Sequence, residues 1–360
     1  MTEEDFKKRC MGVEIEGKDY IYQSNLVTFG GSLRKDYVCL NDDTFSFQYR
    51  ERFYNPDLKK TPKDSQFFEY LFERLKTGES SFRTYLGDLP VGENGHIPSN
   101  VNCFIKGIRG LRGDYGILGE VASPRIADLL GVDTIYNTAL AFDDEYDCYD
   151  RDDDFYYLNY ESILSVDATP PGYTFQDMDT LGIIFSWTDE SLKSILNRIE
   201  YCLKHIVADK YKLVMDAPLV KQFMNDFVKQ YLFKIVLCSD GDFWEPNVGV
   251  LIGQDGDFKL APMFDFEHMF DSRITPDEYY KIVKTTFDFC QNNGYADVLQ
   301  DFMQKLEELD RHGTIDDILT NTVKVSSKAI LNARSTINSN IRTMQKEWWR
   351  ISDTTHELVE

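Results

Sequence analysis

The chain has 360 residues, 42% of them hydrophobic and 14% aromatic, enough apolar content for a substantial core and too much for global disorder. That length suits one two-lobed unit or two domains. A net charge of −22 disfavours a nonspecific nucleic-acid or anionic-membrane binder, because such a field repels phosphate.

No apolar run approaches the roughly 20 residues that span a bilayer, and the opening MTEEDFKKRCMGVEIEGKDY lacks the apolar stretch of a signal peptide. The cytoplasm is therefore the expected location, with secretion as an effector left open. The 7 cysteines are odd in number, scattered and without a C-x-x-C, which speaks against a disulfide framework and a structural zinc site. The 5 histidines show no metal-ligand spacing. A hard cation held by Asp and Asn oxygens stays open, and phosphate chemistry on so acidic a chain needs Mg²⁺ to bridge acid to acid.

In chain order, residues 1–160 read mainly as strands, with β-branched and aromatic residues between turn signals. A helix is expected over 63–79, where Phe67, Phe68, Leu71, Phe72 and Leu75 share one face ahead of Gly78. A second is expected in GEVASPRIADLLGV, with Ser123 as N-cap, Pro124 in the first turn and Val121, Ile126, Leu129 and Leu130 as its apolar stripe. TIYNTALAF and DFYYLNY read as strands on either side of the acidic run 143–154, itself taken as a solvated insertion. From about residue 161 to 350 the spacing turns helical, as in APLVKQFMNDFVKQYLFKIVLCSD, with 351–360 as a tail.

The stretch CSDGDFWEPNVGVLIGQDGDFKLAPMFDFE, residues 238–267, interrupts that helical half. A polar loop leads into strand VGVLI, a turn at Asp255-Gly256 and strand FKLAPMF. Folding this hairpin makes neighbours of Asn247, at the start of one strand, and Asp265, at the end of the other. Asp242 lies five positions before Asn247. Protein kinases need this order: an Asp that takes the acceptor hydroxyl proton, an Asn five residues on that holds Mg²⁺, and a second Asp that binds Mg²⁺ across the phosphates. Asp240, Asp255 and Asp257 read as turn or capping residues.

The same stretch resembles the HipA-like Ser/Thr protein kinases, whose loop is followed by a hairpin and L-A-P-(L/M)-(Y/F)-D. Leu260-Ala261-Pro262-Met263-Phe264-Asp265 fits that element throughout. Where the family usually has a His two residues after its catalytic Asp, this chain has Trp244, and Pro246 precedes Asn247. The resemblance implies an α+β, two-lobed protein-kinase-like fold with a β-rich N-lobe over 1–160 and a mostly helical C-lobe over 161–350. It implies ATP and Mg²⁺ as cofactors, Asp242 as the catalytic residue, and Asn247 and Asp265 as metal ligands. Lys106, ending strand VNCFIKG, and Glu120, opening the GEVASPRIADLLGV helix, become the nucleotide-clamping pair. The adenine is expected near 156–161. Of the glycine-bearing segments 29–37 and 85–95, the second is preferred for the phosphate loop because it directly precedes the Lys106 strand; 107–116 is a further flexible element that reads either as a glycine-rich connector or, through Arg109 and Arg112, as a contact to phosphate or peptide. A protein hydroxyl is the expected acceptor, a small antitoxin a conceivable partner, and neither nucleic acid nor membrane is expected. Trp244 keeps two alternatives in play: a nucleotide-binding pseudokinase or scaffold, and a kinase-fold enzyme acting on a small molecule.

Overall fold

The computed structural model describes residues 114–135, 137–142, 162–166, 168–169, 173–187, 190–253, 257–270, 274–323 and 325–357, with the backbone of six strands ahead of them. These are β1 (Val13–Ile15), β2 (Lys18–Ile21), β3 (Lys35–Leu40), β4 (Phe47–Phe53), β5 (Phe82–Thr84) and β6 (Val101–Gly107). β7 (Asn137–Phe142) and β8 (Ser162–Val166) join β3–β6 in an antiparallel sheet of order β4-β3-β6-β8-β7-β5, while β1 pairs with β2. The expected helix over 63–79, the acidic run 143–154 and the strand expected over 154–160 lie outside the described residues.

Helix α1 (Asp114–Leu129) starts earlier than the sequence suggests. Ser123 does not cap it, and Pro124 sits in its interior rather than its first turn. A proline there removes one helical N–H and strands the carbonyl four residues back. That carbonyl, on Glu120, accepts instead from Asn137 Nδ2 at 3.0 Å, so the helix crosses the proline without an orphaned group. Ile117, Leu118, Val121 and Ile126 form the buried side, whereas Leu129, expected on the stripe, is 45% exposed.

The strand-rich pattern also runs past residue 160, since β9 (Tyr173–Asp177) follows β8. The helices then come in order. α2 (Leu192–Cys202) is capped by Ser191 and continues through the wide turn Leu203–Val207 into α3 (Ala208–Tyr211). α4 (Ala217–Tyr231) begins where Asp216 accepts the Leu219 N–H at 2.9 Å, with Pro218 in the first turn. Val220, Phe223, Phe227 and Tyr231 lie on its buried side, as their spacing predicts. α5 (Pro276–Asn292) carries a Thr275–Glu278 capping box, and α6 (Ala296–Arg311), α7 (Thr314–Asn321) and α8 (Ser327–Glu357) complete the bundle. α8 runs on past residue 350, the expected start of a tail. One core joins the buried side of α1, Ile163 of β8 and the helices. Among the described residues no helix is long and apolar enough to cross a membrane.

Candidate active site

β10 (Gly249–Gly253) and β11 (Phe258–Leu260) form the expected hairpin, with Val250 opposite Leu260. The Gly253 N–H donates to the Asp257 carbonyl at 2.7 Å, so Asp257 serves the turn, while Asp255 lies outside the described residues. β9 adds a third strand on the other side of β10. Gly249 is needed at that crowded position: a Cβ would lie 2.2 Å from the Phe175 ring and 2.8 Å from Ala261.

The preceding loop alternates buried and exposed residues. Phe243 is fully buried against Phe185, Phe227 and Tyr231, and Trp244 beside it is 48% exposed. Trp244 is extended and bridges the backbone of Ser186. Pro246 occupies the first turn of the short 3₁₀ segment Glu245–Asn247, where a missing N–H costs nothing. Neither residue keeps Asn247 from Asp242. Asn247 Nδ2 donates to the Asp242 carbonyl at 2.8 Å and to its carboxylate Oδ2 at 2.9 Å. Both bonds come from the amide nitrogen, which leaves Asn247 Oδ1 as the oxygen donor on the opposite side of the group.

The α4 helix widens over Leu232–Leu237, a π-helical turn that carries Lys234. The Lys234 side chain is almost wholly buried, as is that of Asp240, and Nζ lies 3.3 Å from Asp240 Oδ2. The same ammonium donates to the carbonyls of Phe264 and Asp265, each at 2.9 Å. Asp240 Oδ1 accepts the Asp242 N–H at 2.9 Å, and the Asp240 N–H returns to the Lys234 carbonyl at 2.8 Å. Burial pushes the Asp240 carboxyl up and the Lys234 ammonium opposes that shift. Asp240 is thus more than a capping residue: it is the buried anion that joins the Asp242 loop to α4.

Asp265 has a left-handed backbone, φ 59°, as do Ser239 at 53° and Phe270 at 64°. Such conformations cost a non-glycine residue on the order of 1–3 kcal/mol and persist where surroundings hold them. The holding bonds are visible: Lys234 on the Asp265 carbonyl, Asn340 Nδ2 on Ser239 Oγ at 2.9 Å, and the Phe270 N–H on the Cys238 carbonyl at 2.9 Å.

Glu120 is fully buried in the second turn of α1, not at its start, and its carboxylate accepts from Asn137 Nδ2. Gly119 brings this part of α1 against the Asp265 segment, since a Cβ there would lie 2.3 Å from the Phe266 carbonyl oxygen. The chain after α1 is tied to the same segment, with Ile135 N–H on the Met263 carbonyl at 3.0 Å and Met263 N–H on the Asp133 carbonyl at 2.9 Å. Lys106 lies in β6 opposite Lys35 and Ile163, and its side chain falls outside the described residues. So do the segments 29–34, 85–95 and 156–161, with Arg109 and Arg112, whereas 114–116 form the first turn of α1.

The structure therefore bonds Asp242 to Asn247, ties Asp265 to their loop through Lys234, and packs the Glu120 turn against Phe266. Sequence reasoning missed Lys234 and Asn137. The lone Lys in the apolar run LFKIVL was a usable signal, because a buried cation demands a nearby anion. A cleft of about 620 Å³ opens beside Gly241, lined by Trp187, Glu190, Tyr231, Ile274 and Ile282.

No family model and no curated protein matches the chain. Among solved structures, the fold is similar to that of a proinflammatory kinase of Helicobacter pylori, CtkA, at 14% identity and a TM-score of 0.45, over 72% of this chain and 96% of that one. A likeness this distant carries no chemistry from one protein to the other.

Proposed function

We propose that the chain is a Mg²⁺- and ATP-dependent kinase of the HipA-like type, moving the γ-phosphoryl group to a serine or threonine hydroxyl of a protein. The observation that carries this reading is the Asn247–Asp242 bond in a loop strapped by Lys234 to the backbone of Asp265. Three left-handed residues, Ser239, Asp265 and Phe270, support it, because strain of this kind gathers at functional sites.

The donor set suits the metal. Asn247 offers an amide oxygen and Asp265 a half-buried carboxylate, the hard oxygen ligands that Mg²⁺ takes. Bound there, Mg²⁺ would neutralise phosphate oxygens that the acidic chain otherwise repels. Asn247 and Asp265 would hold the ion. Asp242, with one carboxylate oxygen engaged by Asn247, would accept the hydroxyl proton on the other. Glu120 would orient Lys106 toward the α- and β-phosphates.

Incubation with labelled ATP and Mg²⁺ tests the reading by autophosphorylation or transfer to a generic protein substrate. Asp242→Ala is expected to lower transfer by about 10²–10⁴-fold, and Asp265→Ala to lower it and the Mg²⁺-dependent part of ATP binding together. Trp244, where the family has a His, favours a second reading as a nucleotide-binding pseudokinase; ATP binding with no transfer, indifferent to Asp242→Ala, would select it. Absence of nucleotide binding would sink both.

A further inference from the structure

A fully buried lysine is costly, and apolar packing often stabilises a fold as well or better. Lys234 is placed as though for something other than stability. Its three oxygen partners come from both halves of the candidate site: the Asp240 carboxylate at 3.3 Å, and the Phe264 and Asp265 carbonyls at 2.9 Å each. The rings of Phe243 and Phe266, with centroids 5.8 and 5.2 Å from Nζ, flank the ammonium. Asp240 in turn fixes the Asp242 N–H, and its own N–H closes back on the Lys234 carbonyl. A methionine could fill the volume but would leave two buried carbonyls without their donor.

We infer that Lys234 is a positioning residue that sets the spacing between the Asn247–Asp242 pair and Asp265, so that Asn247 and Asp265 reach one Mg²⁺–nucleotide together. The inference rests on the kinase reading. Lys234 touches neither acceptor nor phosphate; it acts through the Asp240 carboxylate and the Asp265 backbone. Its loss separates the two metal ligands without removing either.

The test is calorimetric titration of ATP into the full-length protein over a series of Mg²⁺ concentrations, alongside kcat and KM for ATP. Lys234→Met is expected to raise the Mg²⁺ needed for half-maximal nucleotide binding by tenfold or more, to change Mg²⁺-free ATP affinity less than twofold, and to lower kcat more than it raises KM. Val236→Ala, an equally buried change in the same turn, costs packing but leaves the strap, and should keep the wild-type Mg²⁺ requirement. If Lys234→Met does not fold, Lys234→Met with Asp240→Asn removes both buried charges, keeps an acceptor for the Asp242 N–H, and should show the same Mg²⁺ shift. A folded single or double variant with wild-type Mg²⁺ half-saturation overturns the inference while leaving the kinase reading intact. Wild-type protein without Mg²⁺-dependent ATP binding overturns the kinase reading and the inference with it.

Discussion

At Lys234 a buried cation meets a carboxylate and two carbonyls, whereas at Glu120 a buried carboxylate meets the neutral amide of Asn137, which also serves the carbonyl left open by Pro124. The first knot joins segments some thirty residues apart and sets a distance between them. The second repairs a defect within one helix and holds it beside its neighbour strand β7. The Lys234 knot keeps a spacing between two loops, and the Asn137 amide closes the gap that Pro124 leaves in one helix.

Breaking the charged knot should cost most. Lys234→Met leaves Asp240 buried without its partner, a loss of about 3–5 kcal/mol by the usual cost of such deletions, read from urea unfolding midpoints. Adding Asp240→Asn should return a good part of it. A single and a double variant of equal stability would mean the pair is not coupled.

Breaking the amide knot should cost less. Asn137→Ala strips the Glu120 carbonyl and carboxylate of a shared donor, a loss of about 2 kcal/mol. Pro124→Ala supplies a helical N–H to that same carbonyl, so Asn137→Ala should cost less in that background, which a double-mutant cycle measures. Gly119→Ala comes next. Helix propensity favours it by about 1 kcal/mol, but the new Cβ meets backbone that cannot step aside, 2.3 Å from the Phe266 oxygen. A net loss of about 1–2 kcal/mol is expected, and the proposed phosphoryl transfer should fall by more than the stability loss accounts for, because the Asp265 segment is displaced.

The smallest effect belongs to a partly exposed ion pair that joins α7 to α8. Arg334 binds Asp316 with Nε and Nη2 at 2.8 and 2.7 Å and holds its carboxyl below the ordinary carboxylate value. The stability this supplies is therefore complete above the ordinary value and is lost as pH falls through the lowered one. Exposure to water keeps it small. Asp316→Asn should flatten the acid limb of a stability–pH series slightly, and an unchanged limb would show the pair contributes nothing.

Much of the hairpin was legible because its signals are local. Asp-Gly signals a turn, the apolar run VGVLI and the alternation in FKL signal the strands, and a five-residue step puts Asn247 within reach of Asp242. The apolar face of α4 was legible for the same reason, since Val220, Phe223, Phe227 and Tyr231 repeat at helical spacing. The start of α1 was not. Ser123-Pro124 carries the usual signature of a helix N-terminus, and what overrides it is Asn137, a side chain from the following strand that no window around Pro124 contains. Lys234 was hidden likewise, because its partners Phe264 and Asp265 become neighbours once the hairpin folds. β9 escaped because five residues, YTFQD, form a strand by pairing with β10 rather than by their own pattern.

The end of α4 shows how the chain reaches this arrangement. The helix does not stop at Tyr231; its hydrogen bonds lengthen their stride. The Cys238 N–H bonds five residues back, to Phe233, and the Asp240 N–H bonds six back, to Lys234. Each longer stride opens the coil further, until a residue that continued helix would carry onward is brought back beside Lys234. Lys234 and Asp240 are thereby clasped twice, main chain to main chain and side chain to side chain, closing a small ring at the foot of the loop. Asp242 stands two residues beyond that clasp, so its freedom to wander is that of a dipeptide anchored to a helix, not that of an open loop.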